Sequence, residues 1–393
     1  MAYLMASNHQ QIQLDILNKY IDDKELNRLD LQHEAVKIVF GDLNICKDQV
    51  DNVLDPLDGQ RRVLDLGATV PSRVQAPEFG LKYSYLKHKV STIDRCIEMA
   101  EMYPHANILG VDIKLQEQSN LPPNCVFEIW DVNSGLERFY GQFDVVHTRF
   151  TTGVFANPQT ALIEMERCLK PGGLLIIISA SFLLSEDRKT MYPVYTKANP
   201  QGSWFQRSVM KNFPGLKKLG VDPQLFEREI DKGLWKHELL DPLSCAAALI
   251  TVPIGPWPTS PDTKEAAQLR KVGEYWRDNF LIVHHHWERL HEASGRSRSE
   301  WELTVRKVDE ELHETRHRVA IHMRAVWGRA RGFNPSPSTV QRPLPLESSP
   351  GTFQVLSIHH SEDEWVRMGE EYRATFTPEM YSFLNIPNFD ALL

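Results

Sequence analysis

The chain has 393 residues, 42% of them hydrophobic and 24% charged, which is enough apolar material for a large core. A net charge of −8 argues against a general nucleic-acid binder, and no run reaches the roughly 20 apolar residues that span a bilayer. No basic-then-apolar leader is seen at the start. The five scattered cysteines, without a Cys-x-x-Cys pair, argue against a disulfide framework or zinc site and for reduced thiols in cytoplasm or nucleus.

Residues 9–40 predict a helix, with Ile12, Ile16, Leu17 and Tyr20, then Leu26, Leu29 and Leu31, spaced for one face. Residues 1–60 are therefore expected to form an N-terminal helical cap. From Arg62 short apolar runs alternate with helical segments, the pattern of an α/β fold with parallel strands. Strands are predicted at Val63–Leu66, Ile108–Val111, Val126–Trp130, Phe143–His147 and Leu174–Ser179. A helix at Asp94–Tyr103 links the first two. Another at Pro158–Leu169 precedes the fifth and is stopped by Lys170-Pro171-Gly172-Gly173. Residues 61–182 thus form a Rossmann-like core.

Residues 183–242, rich in aromatics such as Trp204, Phe205, Phe226 and Trp235, are expected as a helical lid or insertion. Residues 243–333 complete the domain. They hold a sixth strand at Ala246–Val252, long helical stretches at 262–295 and 298–322, and at Met323–Trp327 either a last strand or more helix. The Pro/Ser-rich run from Asn334 to Pro350 reads as a linker, so 334–393 is expected to be linker and tail.

Arg62-Val63-Leu64-Asp65-Leu66-Gly67 begins as the first strand and turn of a nucleotide site, and then the glycines stop: Ala68-Thr69-Val70-Pro71 follows. Asp112 ends the second strand, where a carboxylate can accept from both hydroxyls of a ribose or simply end a turn. Asp131 follows the third strand. It can meet an adenine amino group, with Val132 against the ring, or cap a helix. His147 and Arg149 sit just past the fourth strand, at the edge facing ligands. His147 is the candidate general base, with packing beneath a cofactor as its other reading. Arg149 suits an ion pair or a bound carboxylate.

The consecutive His284, His285 and His286 should fan to different sides of a helix and make a poor chelate, so no metal site is expected. Arg316, Arg318, Arg324, Arg329 and Arg331 read as a solvated helix face or an anion-facing surface. No HExxH, GxSxG or GxxxxGK[ST] motif occurs.

Four blocks together resemble the fungal LaeA-like, seven-β-strand class I methyltransferases. They are Arg28-Leu29-Asp30-Leu31-Gln32-His33; Val63-Leu64-Asp65-Leu66-Gly67 resumed at Ile97-Glu98-Met99-Ala100 and Gly110-Val111-Asp112; Leu121-Pro122-Pro123-Asn124-Cys125-Val126; and Phe143-Asp144-Val145-Val146-His147-Thr148-Arg149 through Lys170-Pro171-Gly172-Gly173. The Pro-Ile-Gly-Pro-Trp-Pro segment at 253–258 extends the likeness. The resemblance implies a mostly parallel seven-stranded sheet and S-adenosylmethionine as cofactor. It implies a donor site built from Asp65, Gly67, Asp112, Ile113, Asp131 and Val132, with Gln32 and His33 lining a cover.

The resemblance further implies methyl transfer to a small molecule of secondary metabolism or to a protein. The alternative is a catalytically inactive scaffold that regulates secondary metabolism by contact with a protein partner. Neither a specific nucleic acid nor a membrane is expected as partner. One departure stands out. In the family the glycine turn enters its helix directly, whereas here 29 residues, Ala68 to Cys96, separate Gly67 from Ile97. Residues 68–92 therefore read as an insert, either a genuine elaboration that remodels or abolishes donor binding or translated intron. The second reading is preferred, because both flanks match the family and the insert does not.

Overall fold

The computed structural model describes residues 23–56, 59–67, 92–113, 121–151, 155–186, 190–218, 223–332 and 355–375. The expectations that fall on 9–22, on insert residues 68–91, on the linker 334–350 and on 376–393 of the tail lie outside them. β1 (Arg61–Leu66), β2 (Ala106–Asp112), β3 (Cys125–Ile129), β4 (Phe143–Arg149) and β5 (Leu169–Ser185) pair in parallel. β7 (Ala320–Arg329) lies antiparallel between β5 and β6 (Ala246–Pro253), and β8 (Leu356–His359) pairs antiparallel with β6. The order is β3-β2-β1-β4-β5-β7-β6-β8.

This is the Rossmann-like, mostly parallel layout that the apolar runs imply. Every residue of β4 and β6 is buried. That explains why those runs are continuous rather than alternating, since helices cover both faces.

One apolar cluster holds α1 (Asp23–Phe40), α2 (Lys47–Val53), α3 (Thr92–Met102), α5 (Trp204–Lys218), α7 (Thr263–Val283) and α9 (Arg298–Glu314) against the sheet. The opposite cluster holds α4 (Pro158–Arg167), α6 (Pro223–Lys232) and α10 (Glu362–Arg373). Caps fix two starts: Asn157 accepts from the Thr160 amide at 3.1 Å ahead of α4, and Asp262 from the Lys264 and Glu265 amides ahead of α7.

Several expectations change. The seven strands anticipated are joined by an eighth, from the region read as tail. Residues 355–375 dock on the core, because Trp365 buries its ring and donates from Nε1 to Ile230 O at 3.0 Å. The 183–242 segment, expected as a helical lid or insertion, supplies α5 to one face of the sheet and α6 to the other. The stretch read as 298–322 stops at Glu314, where Thr315 turns left-handed (φ 44°). β7 then starts at Ala320, so Met323–Trp327 is strand. The 262–295 stretch breaks after Val283 into a 3₁₀ turn, His284–Trp287, and α8 (Glu288–Ala293). Among the described residues no helix is long and apolar enough to cross a membrane.

Candidate active site at the carboxyl ends of β1 to β4

Parallel pairing aligns the strand ends. Asp65 of β1 stands opposite Gly110 of β2 and His147 of β4, and Leu66 opposite Val111 and Thr148. Past Leu66 the chain turns at Gly67 (φ 73°), whose amide donates to Val111 O at 3.0 Å. A Cβ on Gly67 would overlap Thr151 Cγ2, so both the conformation and the space require glycine. Thr148 Oγ1 ties the corner together, donating to Leu66 O at 3.1 Å and lying 2.6 Å from Thr151 Oγ1. Between these threonines Phe150 adopts φ 60°, a left-handed conformation that costs a bulky residue about 1–3 kcal/mol and marks functional corners.

Asp65 is the centre of a buried charge network. Its Oδ2 accepts from Arg95 Nη1 at 2.6 Å and its Oδ1 meets His147 Nδ1 at 2.8 Å. Burial alone would raise its pKa, but Arg95 and His147 outweigh that and hold the carboxyl well below its usual range. Arg95 Nη2 continues to Asn44 Oδ1 at 3.0 Å. His147 is held down to about 4, first by burial and then by the charge of Arg95. Asp65 accepts the proton on Nδ1, which leaves Nε2 as the basic nitrogen, and no hydrogen bond among the described residues reaches it.

Beside this network α1 closes over the edge. His33, fully buried, takes Arg149 Nη2 on its Nδ1 at 2.9 Å and places its Nε2 3.4 Å from Glu98 Oε2. Lys37 Nζ donates to Glu98 Oε1 at 2.8 Å. Burial holds His33 to about 4. Burial raises Glu98, but hydrogen bonds from His33 and Lys37 outweigh it and lower its pKa.

Asp65, Gly67, Asp112 and His147 therefore share one edge, and His33 reaches it from α1. Gln32 is buried beside His33, and Asp112 is buried at the end of β2. Ile113 follows, half-buried. Asp131 behaves as a cap: its Oδ1 accepts from the Asn133 amide at 2.9 Å and from Asn133 Nδ2 at 3.2 Å. Val132 packs half-buried on the second apolar cluster. The roles of Arg95, Glu98, Phe150 and Thr151 were not legible in the sequence. Arg95 and Glu98 stand three apart on α3, the spacing of one helix face, and that was the available signal.

Two surface readings need correction. His284 and His285 do not fan apart, because the 3₁₀ turn brings both Nε2 atoms to Asp309 Oδ1, at 2.8 and 3.0 Å. The arginines are not a basic helix face either. Arg324 lies on β7, buried, with Nε 2.6 Å from Asp231 Oδ1, and Arg373 pairs with the same carboxylate. Arg329 donates to Gly172 O and Asn52 Oδ1, and Arg331 to Glu238 O.

Residues 94–239 match the family model of a methyltransferase domain; the match begins just past the insert and leaves β1 outside it. The secondary metabolism regulator laeA of Coprinopsis cinerea is 32% identical over 100 residues, 25% of this chain and 25% of that protein. Methyltransferase str3 of Strobilurus tenacellus is 26% identical over 163 residues, 41% of this chain and 47% of that one. The chain thus spans a quarter to about half the length of these curated relatives. Among solved structures, phosphoethanolamine N-methyltransferase 2 of Haemonchus contortus is 11% identical, with 81% of this chain and 60% of that one covered at a TM-score of 0.33. That likeness is too distant to inform the site.

Proposed function

We propose that this LaeA-like class I methyltransferase, assigned by its family match, its relatives and its strand order, transfers a methyl group from S-adenosylmethionine to a nucleophilic oxygen, nitrogen or carbon. The acceptor in this reading is a small molecule of secondary metabolism or a protein, and the setting is cytoplasm or nucleus. The observation that carries it is the shared edge where Gly67, Asp112 and the Arg149–Thr151 corner meet. It lies at the carboxyl ends of parallel strands, where open α/β sheets take their ligands. Asp112 would hold the ribose hydroxyls, and Asp131 with Val132 would flank the base. Gln32 and His33 would line the cover.

The bound donor supplies an electrophilic methyl on sulfonium, so the protein's work is to align the acceptor and exclude water. In this reading His147, oriented by Asp65, takes a proton from the acceptor. Its pKa of about 4 makes it a weak base, and positioning carries most of the rate in this scheme.

One observation favours the second reading, a non-catalytic scaffold that regulates through a protein partner. Asp65 is already paired with the Arg95 guanidinium and hydrogen-bonded to the neutral His147 ring, which leaves it no uncompensated charge for a cationic ligand. Calorimetry with S-adenosylmethionine and S-adenosylhomocysteine separates the readings. We expect binding to the chain as written or, where the insert blocks it, to a form lacking residues 69–92. A folded protein that binds neither compound in either form leaves the scaffold.

A further inference from the structure

Arg149 is a buried cation, 7% exposed, at the last position of β4. Among the described residues no carboxylate lies within ion-pair distance of it. Among the described residues its hydrogen-bond partner is a histidine, and its Nη1 is buried without a partner. A guanidinium has donors and no acceptor, so the His33 nitrogen facing it, Nδ1, must be the unprotonated one. The His33 proton then sits on Nε2, on the side of Glu98. Glu98 on α3 thereby fixes the tautomer of His33 on α1, and His33 fixes the orientation of Arg149 on β4. Three elements are spent on presenting a guanidinium that the fold leaves partly unsatisfied, and a buried unpaired donor is costly. The left-handed Phe150 directly follows it, and its ring lies 5.7 Å from the guanidinium carbon.

We propose that Arg149 is a receptor for a carboxylate of the bound ligand, with His33 and Glu98 as its positioning residues. The proposal rests on the methyl-donor reading above, because that reading places the ligand at this edge. Two ligands could bring the carboxylate: the amino-acid end of the donor, or an acid-bearing acceptor. Arg149 lies two strands from Asp112 in the order β2-β1-β4, roughly 10 Å at the usual strand spacing, which suits an extended ligand held at both ends. The neighbouring guanidinium, Arg95, is already paired with Asp65, so Arg149 is the cation at this edge whose donor Nη1 is left for an anionic group of the ligand.

The test compares the full chain with R149M and R149K. Calorimetry uses S-adenosylhomocysteine and 5′-methylthioadenosine, which share the nucleoside and thioether but differ in the amino-acid end. Ligand-observed NMR uses acetate against acetamide. The expected result is that R149M weakens S-adenosylhomocysteine about ten- to a hundredfold, the range for a charged hydrogen bond, and leaves 5′-methylthioadenosine unchanged. R149K, which keeps the charge and most of the bulk, should show a smaller loss and covers the case in which R149M does not fold.

An acetate preference over acetamide that R149M abolishes, with both nucleosides bound as before, supports the receptor and assigns the carboxylate to the acceptor. Failure of both the full chain and the form lacking residues 69–92 to bind either nucleoside defeats the donor reading alone, and the acetate comparison still decides on Arg149. The proposal is overturned if acetate binds no better than acetamide and nucleoside selectivity ignores the substitutions.

Discussion

The two ends of the same strand pair, β1 and β4, each bury a carboxylate among cations, and they treat it differently. At the amino end Asp144, 4% exposed, is fully answered: Arg61 Nη1 at 3.1 Å, the Arg62 amide at 2.8 Å and Lys170 Nζ at 2.6 Å. Arg61 and Lys170 keep 14% and 32% of their side chains in water. At the carboxyl end Asp65 meets Arg95, whose side chain is only 2% exposed, and unpartnered donors remain on Arg95 Nε and Arg149 Nη1. One end is a staple that closes its own hydrogen bonds. The other stores unsatisfied positive charge where parallel sheets take ligands.

The largest test of that contrast removes each carboxylate's charge. Asp65→Asn strands Arg95 in the interior and should cost about 3–5 kcal/mol, the penalty for a buried charge without its partner. Asp144→Asn should cost about 1–3 kcal/mol, since its cations can be rehydrated where they stand. Urea unfolding of both variants measures the pair, and equal losses would break the contrast.

Acid should act on the carboxyl end first. His33 and His147 are both held near 4 in the fold against about 6.5 unfolded. The unfolded chain therefore binds more protons between those values, and stability falls as pH drops from about 6.5 to about 4. The amino-end cluster of Asp144, Arg61 and Lys170 contains no histidine. Urea midpoints at pH 7, 5.5 and 4.5 should fall, and His33→Gln should flatten part of the decline. A flat wild-type profile above pH 5 would contradict the neutral state of both rings.

The turn that opens the carboxyl end makes a third test. Gly67→Ala should cost about 1–3 kcal/mol, from its left-handed φ and the overlap with Thr151 Cγ2. Adding Thr151→Ser removes the methyl while keeping the hydroxyl, and should recover the steric part alone. A double variant no better than Gly67→Ala would assign the whole cost to the backbone.

How much of this was legible in the sequence follows the same division. The strands read clearly because burial on both faces leaves unbroken apolar runs, and the family blocks put Asp65, Gly67, Asp112 and His147 at strand ends. What did not read were contacts between distant segments. Arg95 on Asp65, Glu98 on His33 and His33 on Arg149 join residues 30, 65 and 116 positions apart, and no local period encodes such pairs. The tail was unreadable for a related reason: β8 has four residues and gains its hydrogen bonds from β6, so its own pattern is too short to announce a strand. The three histidines misled because the helical spacing assumed for them gives way to a tighter turn.

The smallest effect is the sharpest check on the amino end. Lys170→Met deletes the 2.6 Å partner of Asp144 Oδ2, yet Arg61 and the Arg62 amide remain and Lys170 itself is 32% exposed. Water can take the vacated position, so the loss should be about 0.5–1 kcal/mol and should shrink further in added salt. A staple with redundant donors tolerates losing one of them. A loss of several kcal/mol, unchanged by salt, would mean that Asp144 is as dry and as dependent on a single cation as Asp65, and the two ends of the strand pair would no longer differ in kind.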